Sequence, residues 1–434
     1  MKKVLWICNI MLPVIAKELG LPYSNREGWL SGIFQQLLDE KEQKMQLGVC
    51  FPVEQMPEML AGKGNKAFLV KGVPCYAFCE NLRTPEVYDA SMETVFKEIF
   101  QEFKPDIIHV FGTEFPHALA AVKTFGCPER TLVGIQGLCG EIAKVYMAGL
   151  PKKVQSRVTF RDFIRRDSLK QQQEKFVLRG KQEAEIIRTT GNITGRTRFD
   201  REETAKINPK AKYFAMNETM RPEFYSGSWQ AKKCEPYSIF LSQGDYPLKG
   251  MHFALEALAK LLKEYPDAKL YVAGNSIVRH ENLKDRLKIS AYGKYLLELI
   301  KKYHLEDKVI VTGKLNAEEM KQQFLKSSVF ICPSVVENSP NTVAEAMLLG
   351  MPVVASKTGG IPDMITDEED GLLFSVENVD ELVSSIKEVW TQLRDEAGLT
   401  KAERLGKAAA RRAHQVHDGG TNYRRLLEIY DSIV

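Results

Sequence analysis

The chain has 434 residues, of which 60 are Lys or Arg and 56 are Asp or Glu, so its formal net charge at pH 7 is +4. Hydrophobic residues make up 44% and charged residues 27%, as in ordinary globular proteins, which excludes collagen, a disordered chain and a small disulfide scaffold. At roughly 150 residues per domain, this length predicts two or three domains, each able to bury its own core.

The first apolar run, residues 4–8, follows two lysines and resembles the start of a secretory signal. Its apolar core is short, and the charged residues Glu18, Arg26 and Glu27 follow without a small-residue cleavage site. We therefore interpret it as a first buried strand. No later apolar run approaches the roughly 20 residues that a membrane-spanning helix needs.

Eight cysteines are scattered along the chain, and only Cys75 and Cys79 lie close together. Three residues between two cysteines, with no histidine or further cysteine nearby, make a poor zinc pattern. We therefore predict small buried thiols in a reducing cytoplasm, and no metal site.

Short apolar runs alternate with amphipathic helical stretches, which predicts parallel sheets flanked by helices. In the first half, the predicted strands are 4–8, 47–51, 107–110, 132–135 and 213–216, with helices at 29–41 and 87–103. In the second half, the predicted strands are 238–242, 269–273, 309–312, 329–332 and 352–356, with helices at 251–264, 281–303, 317–326 and 342–349. Two such series predict an α/β fold of two Rossmann-like domains rather than one barrel.

The border between the two series is expected in the small and polar stretch 226–233, where the alternation breaks. We therefore assign an N-terminal Rossmann-like domain to 1–228, a C-terminal Rossmann-like domain to 229–415, and a last helix to 416–434. Open sheets of this kind bind ligands at the carboxyl ends of their strands, so a cleft between the domains is the expected site.

The stretch 333–347 carries the clearest chemical signal. A buried strand ends at 332, a loop of small and turn-forming residues follows, and a helix opens at about Thr342. Free N–H groups at a helix start suit a phosphate. Glu337 in the loop and Glu345 inside the helix then suit ribose or sugar hydroxyls. The alternative is simple capping, which gains roughly 0.3–1 kcal/mol from the helix dipole.

This stretch, continued by 350–356 and by the Gly-Gly-Ile-Pro run at 359–362, resembles the signature of glycosyltransferase family 4. Glu337 and Glu345 match the E-x7-E motif of that family, and the resemblance is strong over about 235–375. It implies the GT-B fold, in which two Rossmann-like domains face a cleft and the C-terminal helix returns to the N-terminal domain. It also implies a retaining enzyme that uses nucleotide-diphosphate sugars.

By this resemblance, Glu337 contacts the donor sugar near its reacting carbon and Glu345 holds the ribose hydroxyls. Lys249 would neutralise the departing phosphate, and a solvated turn lysine is the alternative. The family's usual upstream arginine is absent, with Gln243 or Gly244 near its place. The resemblance implies a set of further donor-binding residues: Gly28, Gln243, Gly244, Gly274, Gly313, Lys314, Asn338, Ser339, Pro340, Asn341 and Thr342.

In the N-terminal half, the weaker resemblance implies sugar or acceptor contacts by Gln136, His109 and Arg196. Gln136 stands about where many relatives carry a histidine, and a glutamine hydrogen-bonds a hydroxyl without exchanging protons near neutral pH. That fits a front-face reaction in which the donor phosphate takes the acceptor proton. For His109, a structural role at a strand end is the alternative.

Positive charge is concentrated in residues 151–201, which hold 14 Lys or Arg against 6 Asp or Glu, a net +8 that leaves −4 for the rest. Aromatic residues are interleaved, but no nucleic-acid motif accompanies them, so we expect no nucleic-acid partner. Peripheral contact with an anionic membrane face, or with a lipid-diphosphate acceptor, is one hypothesis, and a solvated helix face is the alternative.

Residues and resemblance together predict a retaining transfer of a sugar from a nucleotide diphosphate, UDP rather than GDP or ADP, to a glycan or lipid-linked glycan hydroxyl. The expected setting is bacterial capsule or exopolysaccharide synthesis, in the cytoplasm or at the inner face of the cell membrane. No cofactor or metal is expected, because helix amides and Lys249 take that role. A GT-B sugar-nucleotide epimerase and a non-catalytic sugar-nucleotide-binding partner stay open as alternatives.

Overall fold

The computed structural model describes residues 1–22, 28–40, 44–63, 65–278 and 287–434. Its contacts divide the chain into two compact units. The first unit comprises Met1–Lys144, Lys175–Met220 and His417–Val434, and the second comprises Val145–Glu174 and Arg221–Val416. The chain therefore enters the main part of the second unit at Arg221, earlier than the polar stretch suggested.

The first unit is built on an eight-stranded sheet. Its strands β1 to β8 are Lys2–Ile7, Met45–Val53, Phe68–Val70, Val73–Cys79, Ile107–Phe111, Thr131–Gly134, Asn192–Gly195 and Lys212–Ala215. They lie in the order β3-β4-β2-β1-β5-β6-β7-β8, with β3 antiparallel to β4 and the other neighbours parallel. The sequence prediction lacked β3, β4 and β7, because Pro74 interrupts one apolar run and Asn192–Gly195 is polar for a buried strand.

Helices cover the first sheet. They are Pro13–Glu18, Gly28–Asp39, Ser91–Phe103, Pro116–Phe125, Cys139–Val145, Leu169–Thr189, Arg198–Ile207 and Gly419–Ile433, with 3-10 turns at Glu58–Lys63 and Pro128–Arg130. The core includes Trp6 of β1, which is fully buried and lies in register with Val49 and His109 on its two neighbouring strands. The Trp6 indole donates a 2.8 Å hydrogen bond to the Tyr430 hydroxyl, which fastens the last helix to this unit.

The second unit is built on a parallel six-stranded sheet. Its strands β9 to β14 are Ser238–Leu241, Lys269–Ala273, Val309–Gly313, Val329–Cys332, Val353–Ser356 and Leu372–Phe374, in the order β11-β10-β9-β12-β13-β14. Its helices are Lys152–Gln155, Phe160–Arg165, Met251–Leu261, Ala291–Lys302, Ala317–Lys326, Asn341–Leu348, Ile361–Met364, Val379–Trp390 and Lys401–Val416, with 3-10 turns at Pro222–Tyr225 and Pro247–Lys249. Within the predicted helix 281–303, the structure has a helix at Ala291–Lys302, and residues 281–286 lie outside the described residues.

Two units of mainly parallel α/β sheet confirm the fold class that the alternation predicts. Within the ranges given above, no helix combines the length and the apolar composition that crossing a bilayer requires.

Residues 145–174 depart from the predicted domain limits, because they group with the second unit instead of the N-terminal domain. The Asp162 carboxylate accepts a 2.9 Å hydrogen bond from the Ala291 amide, and the Thr159 hydroxyl donates to the Ile289 carbonyl at 2.8 Å. These contacts are tertiary, and the short charged helices that make them carry no βα alternation, so the sequence pattern could not assign the segment.

Candidate active site

A lysine and a glutamate meet at the carboxyl ends of β9 and β12, which are neighbours in the second sheet. Lys249 ends the turn after β9, and Glu337 lies in the loop after β12. Their side chains form an ion pair, with 21% of Lys249 and 15% of Glu337 exposed. The Ser334 hydroxyl donates to the same carboxylate oxygen at 2.9 Å. The two predicted catalytic residues therefore lie together, largely out of water.

This contact keeps Lys249 charged. Burial alone would lower the pKa of Lys249, but the Glu337 carboxylate outweighs burial and raises the pKa above its ordinary value. The Lys249 ammonium also lies 5.7 Å from the centroid of the Tyr246 ring, within the range of a cation–π contact. A ligand that reaches this site therefore meets a permanent cation.

Two glycines allow the backbone to pass close to this pair. Gly250 has a φ of +69°, and a Cβ at this position would overlap the Pro333 carbonyl oxygen. Gly359 has a φ of +51°, and its Cβ would overlap the carbonyl oxygen of Glu337, which accepts a 3.0 Å hydrogen bond from the Gly360 amide. A larger residue at Gly359 would therefore displace the loop that carries Glu337.

The helix Asn341–Leu348 begins directly after this loop, at the cap residue Pro340. The Pro340 carbonyl accepts from the Val343 amide at 3.0 Å. Amides at such a helix start carry a partial positive charge that favours anions. Of the residues predicted to bind the donor here, Asn338 and Pro340 are buried, whereas Ser339, Asn341 and Thr342 are half-buried.

The loop after β9 is fixed by an aspartate that the sequence analysis overlooked. The Gln243 amide donates to one oxygen of Asp245 at 2.9 Å, and the Asn275 amide donates to the other at 3.0 Å. Asp245 thereby links the loops after β9 and β10. Its carboxylate also engages the side-chain NH2 group of Gln243.

The predicted donor-binding glycines lie at the ends of neighbouring strands. The Gly274 amide donates to the Gly313 carbonyl at 2.9 Å, which joins the ends of β10 and β11. A Cβ on Gly244 would approach the Met251 sulfur to 2.6 Å, so this glycine allows close packing. Lys314, which follows Gly313, is exposed.

Glu345 is held inside the second unit. Only 2% of its side chain is exposed, and its Oε1 atom accepts from Nη2 and Nε of Arg221 at 2.6 and 3.0 Å. The guanidinium in turn lies 4.8 Å from the Phe224 ring centroid. Burial raises the pKa of Glu345, and Arg221 opposes that rise. Sequence reasoning missed Arg221, which belongs to none of the motifs that it used.

In the first unit, Gln136 and Arg196 come together after β6 and β7. Arg196 Nη2 donates to the Gln136 carbonyl at 3.4 Å, and Nη1 lies 2.6 Å from Oε1 of Glu218. Glu218 follows β8 and is 1% exposed. Burial raises the pKa of Glu218 to about 7, although Arg196 opposes the rise. The sequence analysis did not identify Glu218, which stands alone between neutral residues.

The loop that carries Gln136 is braced by two further polar residues that follow strands. The Asn9 amide donates to Oε2 of Glu114 at 3.2 Å, and Oε1 of Glu114 accepts from the Gly137 amide at 3.0 Å. Single polar residues after strands form no local motif, so neither was predicted. They place a carboxylate beside the predicted sugar contact Gln136.

His109 lies in the core of the first unit. Its side chain is fully buried, Nδ1 lies 2.7 Å from the Tyr430 hydroxyl, and its ring centroid lies 3.8 Å from that of Phe111. Burial lowers the pKa of His109 to about 3, so the ring is neutral. This burial supports the structural alternative, and a sugar contact by His109 stays a prediction.

The N-terminal glycine loop is described only in part. Gly28 is the first residue of the helix Gly28–Asp39. Residues 23–27, which include the Glu27 that precedes it, lie outside the described residues. A donor contact by Gly28 therefore stays a prediction.

Glu183 makes stability depend on pH. It is 2% exposed, accepts hydrogen bonds from the amides of Cys139 and Gly140 at 2.9 and 3.0 Å and from the Thr113 hydroxyl at 2.8 Å, and so caps the helix after Gln136. Burial outweighs these bonds and raises its pKa from 4.5 to about 7. The folded state then binds this proton more tightly than the unfolded state. The free energy of unfolding should therefore fall by about 3 kcal/mol as pH rises from 4.5 to about 7.

Glu183→Gln tests this dependence by denaturant unfolding below pH 4.5 and above pH 7. The amide oxygen still accepts from the helix amides but does not ionise, so the variant should lose the part of the pH slope that Glu183 contributes and keep the part from Glu218, whose pKa is also raised to about 7. Glu185→Gln, on the same helix and 46% exposed, is the control and should keep it. An unchanged slope in Glu183→Gln would contradict the assignment.

Two α/β units with parallel sheets, whose polar loops follow the carboxyl ends of the strands, form the fold of GT-B glycosyltransferases. The structure of sucrose-phosphate synthase from Thermosynechococcus elongatus is similar, with a TM-score of 0.68 and 15% identity. The match covers 100% of this chain and 99% of the synthase chain. Anabaena Alr3699/HepE in complex with UDP and glucose matches over 100% of both chains, with a TM-score of 0.66 and 14% identity. Likenesses at this identity establish the fold.

The sequence of the second unit is similar to a known family. Residues 223–412 match the family model described as glycosyl transferases group 1. The sulfoquinovosyl transferase SQD2 of Arabidopsis thaliana is 30% identical over 163 residues, which are 37% of this chain and 27% of that protein. The putative colanic acid biosynthesis glycosyltransferase WcaL of Escherichia coli is 30% identical over 131 residues, 29% of each chain. The chain spans less than half the length of such curated relatives.

Proposed function

We propose that the protein is a retaining glycosyltransferase that moves a sugar from a nucleotide-diphosphate donor to an acceptor hydroxyl. The observation that carries the proposal is the ion pair of Lys249 and Glu337, sheltered from water at the strand ends of the second unit and held by Ser334. The pair lies inside the segment 223–412 that matches glycosyl transferases group 1.

Lys249 acts on the leaving group. In the reaction, the bond between the sugar C1 and the diphosphate oxygen breaks, and a bond from C1 to the acceptor oxygen forms on the same face. The acceptor proton passes to the departing phosphate oxygen. Negative charge builds on the diphosphate as it leaves, and the Lys249 cation stabilises it together with the first amides of the helix Asn341–Leu348. These groups supply positive charge without a metal ion, so we propose that none is needed.

Glu337 acts on the donor sugar. In the free protein its carboxylate balances Lys249, but a diphosphate brings negative charge of its own to that lysine. Lys249 then exchanges Glu337 for the diphosphate, and the carboxylate becomes free to accept hydrogen bonds from sugar hydroxyls near C1. Ser334 keeps the carboxylate oriented during this exchange. Glu345 would hold the ribose, as its place in the E-x7-E motif implies.

The comparisons support the donor and the setting that we propose. Structures of Anabaena Alr3699/HepE contain UDP or UDP-glucose, which supports a UDP-sugar donor here. The similarity to WcaL, a putative colanic acid biosynthesis glycosyltransferase, supports a glycan or lipid-linked glycan acceptor in bacterial surface-polysaccharide synthesis. We propose a cytoplasmic site of action for this reaction.

A panel of sugar nucleotides tests the donor class. UDP-sugars should raise the thermal unfolding midpoint in a concentration-dependent way, because a ligand that binds only the folded state stabilises it. The rise should persist in excess EDTA, whereas GDP- and ADP-sugars should give a smaller one. A rise that EDTA abolishes would contradict metal-free binding, and the absence of any rise would contradict donor binding.

Incubation with a labelled donor then tests the reaction. Transfer of label to a glycan acceptor with the anomeric configuration kept would support the proposal. A donor altered in the absence of acceptor would instead identify a sugar-nucleotide epimerase. Binding without turnover on any acceptor would identify a non-catalytic partner.

A further inference from the structure

A short helix in the second unit exposes apolar side chains where a helix normally buries them. In the helix Phe160–Arg165, the side chains of Phe160, Phe163 and Ile164 are 62%, 72% and 62% exposed. Their i, i+3, i+4 spacing places them on one face. Val158, just before the helix, is 57% exposed as well. The apolar stripe of this helix therefore points outward, which marks an interaction surface.

The charged residues around this stripe have one sign. The exposed charged side chains between residues 151 and 170 are Lys152, Lys153, Arg165, Arg166 and Lys170, all of them positive. Of the two acidic residues between 151 and 170, Asp162 is 1% exposed, and Asp167 is 26% exposed and paired with Arg161 at 3.0 Å. From the neighbouring helix Ala291–Lys302, Glu298 faces this segment and is paired with Arg157 at 2.9 Å.

The segment is fastened to the second unit as a rigid element. A reciprocal capping box between Thr159 and Asp162 starts the helix, and the Asp162 carboxylate also accepts from the Ala291 amide at 2.9 Å. The buried side of the helix is thus occupied by polar contacts that hold it in place. The apolar side chains on the opposite side of the helix are exposed to solvent.

We propose that this surface, Val158 to Ile164 with its exposed cations, docks the second unit on an anionic lipid bilayer. Apolar side chains on such a helix enter the boundary between headgroups and acyl chains, while Lys and Arg attract anionic lipids. The exposed apolar side chains of this surface suit the acyl-chain boundary, and its exposed cations suit the anionic headgroups. The inference does not rest on the transfer reaction, and it assigns membrane contact to the second unit.

Co-sedimentation of the full chain with vesicles tests the proposal. Wild-type protein should bind vesicles of phosphatidylcholine mixed with phosphatidylglycerol, and bind phosphatidylcholine alone far less. Phe160→Ser combined with Phe163→Ser should weaken binding to the mixed vesicles by more than tenfold. Lys152→Gln combined with Lys153→Gln should weaken it by roughly fivefold for each cation removed, and added salt should reduce this difference.

Matched controls come from the same unit. Leu393→Ser removes an apolar side chain that is 80% exposed elsewhere, and Lys232→Gln with Lys233→Gln removes another adjacent pair of exposed lysines. Both should bind mixed vesicles as the wild type does. An unchanged thermal unfolding midpoint shows that each variant is folded.

A fluorescence measurement separates insertion from simple charge attraction. Phe163→Trp should add emission that shifts to the blue only with anionic vesicles, because the indole leaves water. Equal wild-type binding to both vesicle types, or wild-type binding by Phe160→Ser/Phe163→Ser, would overturn the proposal. So would an RNA that binds the segment while anionic vesicles do not.

Discussion

Lys249→Ala is expected to lower kcat/KM for sugar transfer by roughly 10²–10³ or more, the loss found when one preorganised stabiliser of developing negative charge is removed. The substitution takes away the cation that we propose stabilises the leaving diphosphate. It also leaves the Glu337 carboxylate without its counter-charge, although Ser334 still donates to it. Steady-state kinetics with a labelled donor and a saturating acceptor measure the loss.

Two further variants separate the roles in this pair. Lys249→Arg keeps the charge and should retain more activity than Lys249→Ala. Glu337→Gln removes the partner that competes with the diphosphate for Lys249, so UDP should bind at least as tightly as to the wild type while transfer is strongly reduced. Lys249→Ala with wild-type kcat/KM would contradict the leaving-group assignment. Weaker UDP binding by Glu337→Gln would contradict the proposed exchange of partners.

Local sequence patterns predicted the parts of this fold and site that local interactions determine. Buried parallel strands read as continuous apolar runs, which is why β9 and β12 were found within a residue of their observed ends. Lys249 and Glu337 each lie in a turn directly after such a strand. Their meeting then follows from the rule that neighbouring parallel strands bring their carboxyl ends to one edge.

The missing parts depend on contacts between residues far apart in the chain. Arg221 acquires its role only through Glu345, 124 positions later, and Glu218 only through Arg196. Neither pair has a spacing that a sequence motif records. His109 shows the converse case, since a family resemblance suggested a site, yet its ring is fully buried and lies against Tyr430 of the last helix. Tertiary packing decides these three cases.

Arg221→Ala is expected to lower the free energy of unfolding by about 3–5 kcal/mol, the cost of leaving one charge of a buried pair uncompensated. Glu345 would lose its partner while remaining buried, so its already raised pKa should rise further. A raised carboxylate pKa destabilises the fold as pH increases, so the loss should be larger at neutral than at acidic pH. Denaturant unfolding at neutral and at acidic pH measures this loss of stability.

The exposed pair of Lys260 and Asp380 provides the control, because their side chains are 43% and 82% exposed. Lys260→Ala should cost less than about 1 kcal/mol, since water and salt screen such a pair. An equal cost for Arg221→Ala would mean that the buried pair contributes no more than a surface one.

Replacing both members of the buried pair separates stability from donor binding. Arg221→Met combined with Glu345→Leu removes both charges and keeps apolar volume, so most of the stability lost in Arg221→Ala should return. If Glu345 holds the ribose of the donor, this folded variant should still bind UDP-sugars more than tenfold more weakly than the wild type. Isothermal titration with UDP measures the difference. Wild-type affinity in the double variant would show that Glu345 serves only to neutralise Arg221, and the assignment of the ribose to the second glutamate of the E-x7-E motif would then be wrong for this chain.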